Sequence, residues 1–267
     1  MRAGLPMYDL PELRAANDAF WAGLAGHLRA EGIAGVPLRL EHPGDYETHW
    51  LAPDLLFSQT CGYPLRHRLR NRVRYVATPS YAVEGCGRGT YRSVVLVNEK
   101  SSAKSLGDLR GRIAAFNDTQ SQSGMNALRA VVAPLNRNGR FFARVIQSGR
   151  HEASIRAVAT GAADVATVDC VTWACLQRYR PASVGRLRVL GMTQETPALP
   201  FIAARTVSAE KIRRMRVALA RAIADPALAR VREALFLSDI VVLPESAYLA
   251  IDRMEEDATA LGYPQLA

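Results

Sequence analysis

Residues 117–129, NDTQSQSGMNALR, place hydroxyl and amide side chains and one glycine directly ahead of an apolar-periodic segment. With a strand ending at Phe116 and a helix beginning near Ser123, the residues Ser121, Gln122 and Ser123 fall at a strand-to-helix turn. The first turn of a helix has unpaired N–H groups and the positive end of the helix dipole. Ser121 and Ser123 add hydroxyl donors, and Gly124 admits a ligand close to the backbone. That chemistry suits a phosphate, phosphonate, sulfonate or carboxylate. One serine is enough to cap a helix, so the pair points to a polar-ligand site rather than to capping alone.

A second turn repeats the theme. In QSGRHEASIR, residues 147–156, His151 falls at a helix start, where the dipole disfavours imidazolium and leaves a neutral donor, and Ser154 follows within a turn. Other strand ends supply Tyr8, the turn Gln59, Thr60 and Cys61, then Asp169 and Thr193. Asp169 could grip a cationic group, although capping the helix that carries Trp173 is the favoured role. Paired carboxylates, a Ser-His-Asp order and metal-ligand spacings do not stand out, so no catalytic residue, metal or cofactor is expected. The stretch EHPGDYETHW, residues 41–50, holds two histidines but reads as a surface loop, because of its Pro-Gly centre and the absence of an i,i+4 histidine pair.

The elements needed to carry these turns are those of an α/β protein with a mostly parallel sheet. A strand near the start leads to Asp9 and Glu12, spaced as a capping box, and Leu13, Phe20, Leu24 and Leu28 then share a helical face. VPLRL, PDLLFS, VRYVATP, TYRSVVLVN, RIAAF, FFARVI and ADVATV read as strands, with helices over SGMNALRAVVAPL, HEASIRAVATG and CVTWACLQRY. Two further β runs follow up to Arg205. Beyond Ser208 the pattern is almost wholly helical, broken at Asp225-Pro226 and Leu243-Pro244. The expected organisation is one discontinuous lobe, residues 1–88 with 191–267, and a second lobe, residues 89–190. The connecting runs near Tyr91 and Met192 form a hinge of the kind that closes over a ligand.

A net charge of +9 on 267 residues invites a nucleic-acid reading, yet the arginines are scattered and only three lysines occur. The densest run, His67 to Arg74, has no aromatic residues interleaved for stacking bases. No nucleic-acid partner is expected, and the absence of a long uncharged apolar stretch excludes a transmembrane helix. The opening MRAGLPMYDL lacks a signal-peptide pattern. It therefore reads as cytoplasmic as written, and as periplasmic if a leader has been removed. Cys170 and Cys175 read as buried thiols on a helix; Cys61 and Cys86, each beside a glycine, leave a disulfide, a free thiol and plain packing open.

The strand followed by SQSG, the stretch SGRHEASIRAVATGAADVATVD and the return TQETPALP resemble the PhnD-like, phosphonate-binding group of substrate-binding proteins. These are type II periplasmic binding proteins that serve ABC transporters. The likeness runs from LPMYD to about Pro200 and weakens in the C-terminal helices. It implies two Rossmann-like lobes with a central ligand cleft and a two-strand hinge, no catalysis, a small anionic ligand and an ABC permease as partner. On the matching positions, Ser121, Ser123 and Gly124 correspond to the anion-holding helix start, His151 to the cleft histidine and Tyr8 to the aromatic after the first strand. Asp169 aligns loosely with an acidic residue that meets an amino group. Gln122 and the turn Gln59–Gly62 fall outside the family pattern.

Two other functions fit the same scaffold. One is an enzyme with His151 as acid/base or Cys61 as nucleophile. The other is a ligand-sensing domain like those of LysR-type regulators, which would need a partner subunit because no helix-turn-helix is present.

Overall fold

The computed structural model describes all 267 residues. Its strands in chain order are β1 (Arg2–Gly4), β2 (Leu55–Gln59), β3 (Val73–Tyr81), β4 (Thr90–Tyr91), β5 (Ser93–Asn98), β6 (Ile113–Phe116), β7 (Arg144–Gln147), β8 (Val165–Asp169), β9 (Leu187–Met192), β10 (Thr196–Pro197), β11 (Phe201–Ala204) and β12 (Leu237–Val241). The α-helices are α1 (Arg14–Ala30), α2 (Tyr46–Trp50), α3 (Gly62–Arg66), α4 (Ala127–Val132), α5 (His151–Thr160), α6 (Cys170–Tyr179), α7 (Pro181–Val184), α8 (Ala209–Ala224), α9 (Ala229–Ala234) and α10 (Leu249–Ala260). No helix is long and apolar enough to cross a membrane.

The chain divides into two compact units. Unit 1 comprises Met1–Ala82, Gly87–Thr90 and Pro197–Ala247; unit 2 comprises Val83–Cys86, Tyr91–Thr196 and Tyr248–Ala267. The C-terminal segment from Tyr248, expected with lobe 1, thus packs in unit 2. The short strands β4 and β10, which pair as a ribbon of their own, each contain a point where the chain passes from one unit to the other.

Unit 1 is built on a five-stranded sheet in the order β1-β2-β11-β3-β12. β1 and β2 are parallel, whereas β11 and β12 run antiparallel to their neighbours, so the sheet is mixed and not mostly parallel. Leu13, just ahead of α1, and Phe20, Leu24 and Leu28 within it are buried, as their helical spacing predicts. Trp21 of α1 stacks on Phe57 of β2, which also meets Phe201 on the neighbouring strand β11.

Several local expectations change. Asp9 caps no helix: its carboxylate accepts from His42 Nδ1 at 2.9 Å and from Asn17, and α1 begins only at Arg14 after a 3₁₀ turn. VPLRL forms no strand. The supposed surface loop at residues 41–50 contains α2, capped by Asp45, and buries His49 and Trp50. The C-terminal region also contains a strand, β12, paired with β3.

Unit 2 holds a sheet in the order β7-β6-β8-β5-β9, parallel across β7, β6 and β8 and antiparallel from β8 through β5 to β9. Side chains alternate across it, as the pleat requires. Ala114 and Val165 join one apolar cluster with Leu128, Val132, Phe142, Ala258 and Tyr263, while Ala115 and Ala166 join another with Val158. Both faces are therefore covered, one by α4 and α10 and the other by α5. The C-terminal segment is fastened by Arg129, whose buried guanidinium donates to Asn126 Oδ1 at 2.6 Å and Pro264 O at 2.8 Å and pairs with Glu255 at 3.3 Å.

Removing that guanidinium strands buried acceptors. Arg129→Ala is expected to lower unfolding stability by about 3 kcal/mol. Arg214→Ala, which breaks the exposed pair with Glu210 at 3.0 Å, is expected to cost about 0.5 kcal/mol or less. Urea denaturation of both variants measures the contrast.

Candidate functional site

The three parallel strands β7, β6 and β8 are neighbours in unit 2; the segments after β7 and β6 carry His151 and Ser121–Gly124, and β8 ends on Asp169. Ligands of open α/β sheets bind at such ends. After β6 the chain makes one π-helical turn, Gln122–Asn126, in which Asn126 N–H reaches back to Ser121 O at 3.0 Å. Turns of this kind recur at functional sites.

The two serines divide their roles. Ser121 Oγ accepts from Gly124 N–H at 2.9 Å and is the cap. Ser123 Oγ is left for another partner and lies 2.9 Å from His151 Nε2. Asp169 Oδ2 stands 3.5 Å from that same nitrogen. Asp169 also caps α6, accepting from Thr172 N–H at 2.7 Å and Thr172 Oγ1 at 2.5 Å.

Burial lowers the His151 pKa from its ordinary value, and the nearby Asp169 carboxylate opposes the shift without reversing it. The ring is neutral at pH 7, and the carboxylate beside Nε2 favours the tautomer with its hydrogen there. The imidazole then donates to Ser123 Oγ, and the Ser123 hydroxyl hydrogen points elsewhere. This order of groups is not that of a nucleophile. An activated serine needs an unprotonated nitrogen facing it and a carboxylate on the opposite ring nitrogen. Here serine and carboxylate meet one nitrogen, and Nδ1 is buried without a hydrogen-bond partner.

Gly124 is required by its neighbours. A Cβ there would lie 1.9 Å from Asn117 Oδ1 and 3.2 Å from His151 Cε1. Thr167 Oγ1 holds the Gly124 carbonyl at 3.1 Å. Asn117 Oδ1 and Gln120 Oε1 are buried without hydrogen-bond partners, like His151 Nδ1. Unsatisfied buried polar atoms cost about 1–3 kcal/mol each and mark places where a ligand or water completes the bonding. Asn117 and Gln120 lie inside the segment that draws attention in the sequence, but nothing in their spacing separates them from the amides that merely shape the turn. α5 opens without a side-chain cap, which leaves its leading amides available.

Other candidates are committed to the scaffold. Gln122 accepts from Asn126 Nδ2 at 2.7 Å and donates to Met254 Sδ at 3.2 Å, so its side chain turns toward α10. Ser154 Oγ pairs with Ser148 Oγ at 2.7 Å, and Thr193 Oγ1 accepts from Ser93 N–H at 2.9 Å. In unit 1, Gln59 donates to Tyr81 Oη at 2.9 Å and Leu199 O at 3.1 Å, and Tyr8 meets the Tyr81 ring edge-on at 5.3 Å. Thr60 is fully buried, and half-buried Cys61 precedes α3. Tyr8, Asn17, Gln59 and Tyr81 help line a cavity of about 20 Å³, room for one water. Cys86 has Cys170 as its sulfur neighbour, at 3.4 Å, rather than Cys61.

A family model of ABC-transporter periplasmic substrate-binding proteins for phosphonate matches residues 5–248. No curated protein matches the sequence. Among solved structures, a binding-protein component of a phosphonate ABC transporter from Pseudomonas aeruginosa is similar with a TM-score of 0.78 at 18% identity, covering 98% of this chain and 87% of that one. PhnD1 from Prochlorococcus marinus, solved with methylphosphonate, gives a TM-score of 0.76 at 15% identity over 97% of this chain and 98% of that one. A Xanthomonas citri protein bound to ATP gives 0.70 at 15% identity over 98% of both chains. At these identities the likeness establishes the fold.

The lowered His151 pKa fixes the sign of a pH effect. As pH falls below the ordinary histidine value of 6.5, the unfolded chain takes up a proton before the folded one does. The stability that His151 contributes is complete above that value and is lost as pH falls through its depressed folded value. His151→Asn is expected to flatten the stability profile on the acid side of the ordinary histidine value, measured by urea denaturation at a series of falling pH values. Ser121→Ala is expected to cost about 1 kcal/mol as a lost cap.

Proposed function

We infer that this chain, which belongs to the family of periplasmic substrate-binding proteins of phosphonate ABC transporters, holds the oxyanion head of a small phosphonate-type solute at the unit 2 turn of Ser121, Ser123, Gly124 and His151. The observation that carries this reading is the 2.9 Å pairing of Ser123 with His151 at the opening of a helical turn. The ring donates to the serine, and the serine hydroxyl is then a directed donor toward the solute. The leading amides of the π turn and of α5 supply further donors of the same sign.

The family binds solutes and is not enzymatic, and the one-nitrogen arrangement of Ser123 and Asp169 on His151 agrees with that. The partner assigned by this reading is an ABC permease, and the compartment is the periplasm. The methylphosphonate in the Prochlorococcus marinus structure supports a phosphonate as first probe.

Titration calorimetry with methylphosphonate, and with inorganic phosphate as competitor, tests the assignment. The intact protein is expected to bind methylphosphonate in the micromolar range, at about 8 kcal/mol. Ser123→Ala and His151→Ala are each expected to weaken binding about tenfold or more with unchanged circular dichroism. Equal affinity in the intact protein and both variants would remove these residues from the site.

A further inference from the structure

The segment Val83–Cys86 is an excursion of the chain into unit 2 between two stretches that belong to unit 1. It is a tight turn in which Cys86 N–H donates to Val83 O at 3.2 Å. Gly85 sits at φ 92°, in the left-handed region that glycine adopts most readily. A side chain there would also crowd its neighbours: a Cβ would lie 3.2 Å from Cys170 Cβ and 3.3 Å from Cys170 Sγ. The backbone geometry and the missing side chain together settle the turn onto Cys170. The two sulfurs consequently face each other at 3.4 Å, both as free thiols.

Their settings differ in a useful way. Cys86 is half-buried and reachable, whereas Cys170 is buried as the first residue of α6, next to Asp169. We propose that Cys86 and Cys170 form a dithiol modification site, oxidised by a disulfide-carrying oxidant to an intramolecular disulfide that fastens Val83–Cys86 to the start of α6.

In the first step the Cys86 thiol gives its proton to solvent, and its sulfur attacks the oxidant's disulfide. A mixed disulfide forms and one thiol leaves. Cys170 then loses its proton and attacks Cys86 Sγ, displacing the second oxidant thiol. In sum the protein gives up two electrons and two protons, and the oxidant's disulfide is reduced to two thiols. The hydrogen bond to Cys170, followed by burial, pushes the Cys86 pKa up. The thiolate is therefore scarce at neutral pH, and uncatalysed exchange is faster in alkaline buffer. The bond would close a long loop, between residues 84 apart, and restrict the unfolded chain accordingly.

The experiment incubates the full chain with glutathione disulfide at pH about 8.5 and follows it by intact mass, peptide mapping and non-reducing thermal melts. The expected product is about 2 Da lighter than the dithiol, has a Cys86–Cys170 linked peptide, and melts about 5 °C higher. Cys61→Ser retains the product, while Cys86→Ser abolishes it. Because Cys86 is half-buried, its serine variant carries the comparison however the buried Cys170→Ser variant folds. A glutathione adduct on Cys86 that is never displaced, a linkage through Cys61 or Cys175, or two thiols unreacted at equilibrium would each overturn the proposal. None of these readouts depends on solute binding, so they stand apart from the functional reading.

Discussion

One hydrogen bond, from the His151 imidazole to the Ser123 hydroxyl, is the interaction on which the candidate site depends. It joins the segments that follow two adjacent parallel strands, β7 and β6, and Asp169 at the end of β8 stands 3.5 Å from the same ring nitrogen, which favours the tautomer with its hydrogen there. No local stretch of chain could assemble the three groups. They meet because parallel strands present their carboxyl ends on one side of the sheet, and the helices that follow begin there. Each helix start contributes positive potential, which adds to burial in disfavouring an imidazolium. Burial keeps His151 neutral, and the potential at the helix starts favours an anion.

The turn is held from both sides. On one, the Asn117 side chain lies over Gly124, and Thr167 from β8 grips the Gly124 carbonyl. On the other, Gln122 and Asn126 turn toward α10, where Asn126 also donates to Ile251 O at 3.2 Å. The C-terminal helix thus buttresses the platform although it is distant in sequence. It also explains why Gln122 interrupts the serine pair without interrupting the site: its amide faces the scaffold. A platform fixed in this way loses little further conformational entropy when a solute arrives.

Much of this was legible in the sequence because it is local. The strand-to-helix turns at Ser121 and His151, the capping role of Asp169 and the buried face of α1 all follow from spacing and residue type. What escaped was long-range. β11 enters the first sheet antiparallel between β2 and β3, and β12 pairs with β3 from far along the chain. The run LSDIV of β12 is half-buried and sits among helical patterns, so periodicity alone could not mark it. Tyr248–Ala267 packs in unit 2 because Ala258 and Tyr263 complete its core and Arg129 ties Pro264. These are pairings of surfaces, which a linear pattern does not encode. Asp9 follows the same logic: its spacing to Glu12 fits a capping box, yet His42 offers its carboxylate a better partner.

Serine, histidine and aspartate in one place could serve catalysis or binding, and orientation decides between them. A nucleophile needs its proton drawn away, whereas here the imidazole gives a hydrogen to the serine oxygen, so the hydroxyl keeps its own. The resulting donors are neutral, the Ser123 hydroxyl and backbone amides, while the uncharged ring spends its one N–H on the serine. Hydrogen bonds to a charged acceptor contribute roughly 1.5–3 kcal/mol each, before the cost of desolvating the anion is subtracted. Three or four of them reach the micromolar range of about 8 kcal/mol and stop well short of irreversible capture. A buried fixed cation would bind an anion more tightly and release it more slowly. Neutral donors on a rigid turn suit a protein that must both take up its solute and hand it on.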